Sequence, residues 1–177
     1  MAEIINFNEI KTKKKKETQS QSISKKEKQV NLKPLSIIKA TLADWDGSTK
    51  GNPYRVISIP NDFTLDILAE AIIESFDFDL DHMYGFYDNI KKWSKSTDSY
   101  IMDDEYESAT GFVTEVTVGE VFKKPKKKML LLFDYGDEWK FVVELIKGKN
   151  AESEMELSAL IIESQGDAPP QYPDIEA

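Results

Sequence analysis

One stretch limits most sharply what this chain can fold into. Leu130-Leu131-Leu132-Phe133 runs into the acidic segment Asp134-Tyr135-Gly136-Asp137-Glu138, and Trp139 to Ile146 follows. Two apolar runs joined by turn-forming residues predict a β-hairpin set inside a core. After the turn, Trp139, Phe141, Val143 and Leu145 alternate with Lys140, Val142, Glu144 and Ile146, the two-residue period of a strand. Gly136 takes positive φ at the least cost, so the reversal is expected at Tyr135-Gly136-Asp137.

The elements before the hairpin follow from pattern. Leu35 to Ala43 reads as a strand, Asp46 to Pro53 as a loop, and Tyr54 to Ile59 as a returning strand that Pro60 ends. Leu65, Leu68, Ala69, Ile72, Ile73 and Phe76 carry the spacing of one buried helix face, with Asp62 or Thr64 as cap. Met83 to Tyr87 reads as a strand. Asp88 to Glu107 is a polar excursion with Trp93, Tyr100 and Tyr106 and a short strand near Tyr100. Thr117 to Phe122 forms one or two helical turns, with Glu120 three residues after the cap. Leu160-Ile161-Ile162 adds an edge strand. The expected fold is α+β: a mostly antiparallel sheet with one main helix packed on a face, β-grasp-like.

Charge divides the chain. Residues 1–32 carry eight lysines against four glutamates, so they hold +4 and leave −13 for the remainder of the net −9. That segment lacks periodicity and is expected to be a disordered lysine-rich arm, with Ile4, Ile5, Phe7 and Ile10 too few for a stable helix. Residues 33–177 are expected to form one domain. Its acidity opposes phosphate backbones. Arg55 is the lone arginine, which disfavours bidentate phosphate or guanine contacts. Nucleic acid is therefore expected only through the lysine-rich segments, Lys11–Lys28 and Lys123–Lys128. The absence of cysteine excludes disulfides, thiolate metal sites and cysteine nucleophiles. No stretch approaches a membrane span and no signal-like N-terminus is seen, so a soluble cytoplasmic protein is expected.

The hairpin segment Phe133-Asp134-Tyr135-Gly136-Asp137-Glu138-Trp139 resembles the Tyr-Asp-Phe-Gly-Asp-x-Trp signature of the plasmid pRiA open-reading-frame-three-like family. Members are also called TnpR-like passenger proteins of insertion elements. Pro53 to Pro60 resembles the family's Pro-x-Trp-Arg-x-x-x-Pro strand, with Tyr54 in place of Trp. Phe76-Asp77-Phe78 and His82-Met83-Tyr84-Gly85-Phe86 resemble its Phe-Gly-Trp and His-Leu-x-x-Phe segments. Gly166-Asp167-Ala168-Pro169-Pro170 resembles its Gly-x-x-x-Pro-Pro element, after which Gln171-Tyr172-Pro173-Asp174 departs from the usual Glu-Asp-x-Gly-Gly. The resemblance implies a fold and an association with plasmids or mobile elements. It does not imply recombinase chemistry, for which no motif is present.

The candidate site residues are Arg55, His82, Asp134, Tyr135, Asp137 and Trp139. Arg55 matches the family's strand arginine, and its planar fork suits a carboxylate, so it is expected to pair with Asp134 or Asp137. His82 is the only histidine, a residue able to act as base or metal ligand, and three aspartates precede it. Asp77-x-Asp79-x-Asp81 has a calcium-like spacing, but the loop glycine and the closing glutamate are missing: position twelve is Asp88. Asp134 and Asp137 equally serve the turn backbone, and Trp139 equally serves the core. Tyr54, Tyr135 and Tyr172 are expected to line an adjoining groove. No nucleophile elbow, phosphate loop or zinc-protease motif occurs, and no cofactor is implied.

Three functions compete. The leading one is a non-catalytic interaction domain for a protein or peptide partner. The second is a metal-assisted hydrolase using His82, Asp134 and Asp137. The third is a nucleic-acid-associated protein. A deep pocket joining His82 to the acidic turn would favour the enzyme, a shared basic face nucleic acid, and a shallow aromatic-rimmed groove a binding domain.

Overall fold

The computed structural model describes residues 33–102 and 108–173. The arm at 1–32, its short apolar segment, Tyr106 and Asp174 lie outside the described residues.

Among the described residues eight strands form one sheet: β1 (Pro34–Ala43), β2 (Tyr54–Pro60), β3 (Tyr84–Tyr87), β4 (Ser99–Ile101), β5 (Gly111–Phe112), β6 (Lys128–Phe133), β7 (Trp139–Asn150) and β8 (Leu160–Gln165). Their order is β5-β4-β3-β6-β7-β1-β2-β8. Every neighbouring pair is antiparallel except β4 with β5. The main helix, α1 (Leu65–Ser75), covers one face, and a single turn, α2 (Val118–Val121), follows β5. This is the expected α+β arrangement, with β8 at an edge. The two-residue β5 is too short to leave a pattern and is an addition to the expected set.

Alternation along the strands builds two unequal cores. Met129, Leu131, Phe133, Phe141, Val143 and Leu145 pack with Leu65, Leu68, Ala69, Ile72, Ile73 and Phe76 of α1. Leu130 and Leu132 point the other way, into a small cluster with Tyr87 and Ile101 that Trp93 and Phe112 flank. Each large apolar side chain taken fully from water contributes about 1.5–3 kcal/mol, so the α1 face carries most of the stability. Among the described residues no helix is long and apolar enough to cross a membrane.

The helix ends are satisfied locally. Ile67 N–H donates to Thr64 Oγ1 at 3.4 Å, the expected cap. The Tyr84 hydroxyl donates to Asp66 in the first turn. Burial, and then that carboxylate, push the Tyr84 phenol well above its ordinary range. At the other end, Asp77 N–H reaches Glu74 O and Phe78 N–H reaches Ile73 O, a Schellman closure. It puts Asp77 at φ 59°, where the resembling family motif has glycine. The Thr117 amide and hydroxyl both donate to Glu120 Oε2, at 2.7 and 2.8 Å, as the capping pattern foretells.

The central turn differs from expectation. Positive φ falls on Asp134 (58°) and Glu138 (52°), and Gly136 is not in that region. β6 ends at Phe133 and β7 begins at Trp139, so five residues connect them. Glu138 N–H closes the loop on Asp134 O at 2.7 Å. The left-handed residues therefore stand at entry and exit rather than at the apex.

Candidate functional site

Arg55 is placed by strand parity. It shares a face of β2 with Ile57 and Ile59, which belong to the core under α1. Its Nε donates to Ser75 O at 2.8 Å, one of the helix's unpaired terminal carbonyls. Its Nη1 donates to Tyr54 O at 2.9 Å, Gly166 O at 3.2 Å and Gln165 O at 3.3 Å. The guanidinium lies 4.4 Å from the centroid of Phe76, and the residue is 6% exposed. The expected pairing with Asp134 or Asp137 is therefore incorrect. β1 separates β2 from β7, and Arg55 stands opposite Ala40, itself opposite Val143, well past the start of β7. Arg55 is a clamp joining β2, the C-terminus of α1 and the segment after β8.

His82 and Asp134 do meet. Asp134 is buried, and its Oδ1 accepts from Gly136 N–H at 2.8 Å and Asp137 N–H at 3.3 Å. Its Oδ2 lies 3.6 Å from His82 Nε2. His82 Nδ1 is 2.8 Å from Asp81 Oδ1. The carboxylate of Asp81 also receives Tyr172 Oη and, at 3.0 Å, Gln171 Nε2. The Asp81 bond, then the charges of Asp134 and Asp137, raise the His82 imidazole above its usual value despite some desolvation. Tyr172 and then His82 hold Asp81 below its usual value. Asp81 in turn pushes the Tyr172 phenol up to about 12. A histidine whose charged form two flanking carboxylates favour serves as an electrostatic tie between Asp81 and Asp134.

Gln171 and Tyr172 stand where the chain departs from the family's usual ending. Gln171 is buried; its Oε1 accepts from Asp79 N–H at 2.7 Å and its Nε2 donates to Asp79 O at 3.1 Å. The side chain thus mimics a strand partner for the Asp79 backbone and fastens the C-terminal segment beside His82. Of the calcium-like spacing, the Asp81 carboxylate and the Asp79 backbone take part in this docking. Among the described residues no group of three or more histidines and acids could hold a metal ion.

Beside the acidic turn lies an open groove of about 780 Å³, lined by Ala43, Trp45, Gly136 to Lys140, Tyr172 and Pro173. His82 does not line it. Trp45, not singled out above, is 86% exposed. Its loop is nonetheless fixed. Asp44 N–H bonds Ser48 O at 2.8 Å, Ser48 Oγ bonds Asp44 Oδ2 at 2.7 Å, and Asn52 Nδ2 bonds Asp44 Oδ1 at 3.1 Å. Buried Lys140 donates to Trp45 O at 3.1 Å and to Glu138 Oε2 at 2.8 Å. Glu138 Oε1 accepts from Trp93 Nε1 at 3.1 Å, and these two bonds, Lys140 first, keep its carboxyl below the usual range. Asp137 is exposed and its carboxylate has no hydrogen bond or ion pair among the described residues.

The remaining predicted residues divide. Trp139 packs edge-on against Phe78, centroids 4.7 Å apart, and also walls the groove; its Nε1 is buried with no acceptor among the described residues. Tyr135 turns away, toward Tyr87 Oη at 2.7 Å and Trp93. Tyr54 belongs to a separate hollow near Lys39, whose Nζ sits 3.7 Å over its ring. Of the three tyrosines only Tyr172 lines the groove of the acidic turn. The Lys123–Lys128 loop offers exposed lysines, but Lys128 already faces Glu144 at 3.4 Å.

These features define a small α+β sheet domain with an aromatic-rimmed groove at one hairpin. The chain belongs to the plasmid pRiA4b ORF-3-like protein family, whose sequence model matches residues 37–175. Its fold is similar to the crystal structure of a protein of unknown function from Methanosarcina mazei Go1. The TM-score is 0.63 at 18% identity, covering 79% of this chain and 74% of that one. No curated protein matches the chain significantly.

Proposed function

We propose that the protein is a non-catalytic interaction domain whose contact surface is the groove between the Trp45 loop, the acidic turn and Tyr172. The observation that carries this reading is an indole 86% exposed on a loop that is fixed from behind. Leaving an indole in water forfeits the gain of burial, and a rigid aromatic anchor loses little entropy when a partner covers it. The groove is open and aromatic-rimmed, and His82 does not line it, which favours a binding surface over the hydrolase reading there. The working unit in this reading is residues 33–177, with the lysine-rich 1–32 as a separate arm, in the cytoplasm of a cell carrying plasmids or mobile elements. The test replaces Trp45 or, as control, Glu74 on the solvent face of α1 with a photo-crosslinking residue. A partner joined at 45 and absent at 74, and lost from Trp45→Ala in parallel pull-downs, supports the proposal. Recovery indifferent to Trp45 overturns it.

A further inference from the structure

Resting on that reading, we infer that the groove takes a basic side chain, lysine or arginine, from an extended segment of the partner. The chemistry of its lining argues for a cation. Lys140 is the only basic residue there, and Glu138 already neutralises it. Asp137 adds an exposed carboxylate with no partner among the described residues. Asp44 and Asp46 flank Trp45 in sequence, and Asp81 and Asp134 stand behind Tyr172 and the turn. Trp45 and the half-exposed Tyr172 present aromatic rings, which attract a cation through their π faces. A carboxylate beside two rings supplies both attractions that a lysine or arginine side chain offers to meet. An anionic partner would face the exposed Asp137 carboxylate, within a region carrying −13 outside the first 32 residues.

The occupant is therefore a peptide segment, not a duplex. A nucleic-acid phosphate has no free cation to meet in this lining, since Lys140 is engaged with Glu138 and the Trp45 carbonyl. Lys140 orients the Trp45 loop and is not itself offered to the ligand.

The experiment titrates the full chain with three synthetic peptides of one length in a glycine-serine host. One carries paired arginines, one paired glutamates and one paired leucines. Heteronuclear NMR follows the indole N–H signals and gives the dissociation constants. The arginine peptide is expected to bind with shifts at the Trp45 indole and to weaken with added salt. Asp137→Asn is expected to weaken it about threefold to fivefold, as for an exposed ion pair, and Trp45→Ala at least as much. Glu74→Gln, which removes the same charge from the solvent face of α1, is expected to change nothing. Equal binding of arginine and leucine peptides at Trp45, unaffected by Asp137→Asn, overturns the charge assignment and leaves the groove reading standing. Arginine-peptide binding that ignores both Trp45→Ala and Asp137→Asn lies elsewhere on the acidic surface and overturns both. Absence of any arginine-peptide binding overturns the inference.

Discussion

Arg55 and Trp45 are both large, distinctive side chains, one near the start of β2 and one in the loop after β1, and the protein treats them in opposite ways. Arg55 is 6% exposed, and four backbone carbonyls and one aromatic face occupy its guanidinium. Trp45 is 86% exposed, and everything fixed about it is backbone. A group whose bonding capacity is filled from within holds the fold together. A group held rigidly with its recognising surface unfilled is available to another molecule. The same contrast separates the two carboxylates of the turn. Asp134 is used up by two amides and His82, while the carboxylate of Asp137, three residues on, has no hydrogen bond or ion pair among the described residues.

The largest effect should come from the filled group. Arg55→Ala removes a buried cation that donates to four backbone carbonyls and is expected to cost roughly 3 kcal/mol in urea denaturation. Arg55→Lys should recover little of it, because an ammonium cannot reproduce the planar fork. A loss below about 1 kcal/mol would break the contrast, since it would mean water satisfies those carbonyls equally well.

An intermediate effect is expected at Lys140, a buried residue that holds the Trp45 loop. Lys140→Met keeps the buried stem but releases Glu138 and the Trp45 carbonyl. The expected cost is about 1–2 kcal/mol, together with faster relaxation of the Trp45 indole in NMR. Unchanged indole dynamics would show that the Asp44–Asn52 bonds suffice to hold the loop.

The His82 tie should respond to pH. A raised histidine contributes its full stabilisation below about 6.5 and loses it as pH climbs through the higher folded value. A lowered Asp81 contributes above about 3.8 and is lost as pH falls through its lower folded value. Docking of Gln171 and Tyr172, read by hydrogen exchange at the Asp79 amide, should therefore be firmest between those limits. His82→Gln is expected to flatten the alkaline limb alone. An alkaline limb that persists without His82 would assign it to another group.

Much of this was legible before the structure, for physical reasons. The apolar runs of β1, β2 and β6, the period of two in β7 and the helical spacing of α1 report which segments are buried, and burial is what the fold mostly consists of. Asp77 was legible only through resemblance: the family glycine at that position marks the left-handed φ that the structure shows. The partner of Arg55 was not legible, because parity gives its face but the order β7-β1-β2 decides its neighbours. Trp45 was missed because composition treats every tryptophan as core. The available signal was its setting, Asp44-Trp45-Asp46-Gly47, where flanking aspartates and a turn glycine argue against burial. Tyr172 was expected at a groove and lines one, but its bond to Asp81 and the docking role of Gln171 were hidden by their departure from the family pattern.

The most direct test sets the two residues side by side in one urea-denaturation experiment on the full chain. Trp93 and Trp139 keep a fluorescence signal when Trp45 is removed. The account predicts that Trp45→Ala stays within about 0.5 kcal/mol of wild type, as an exposed side chain outside the packing should, while Arg55→Ala falls by several times that. A Trp45→Ala loss as large as that of Arg55→Ala would contradict it, because the indole would then be part of what holds the fold and not a surface kept for a partner.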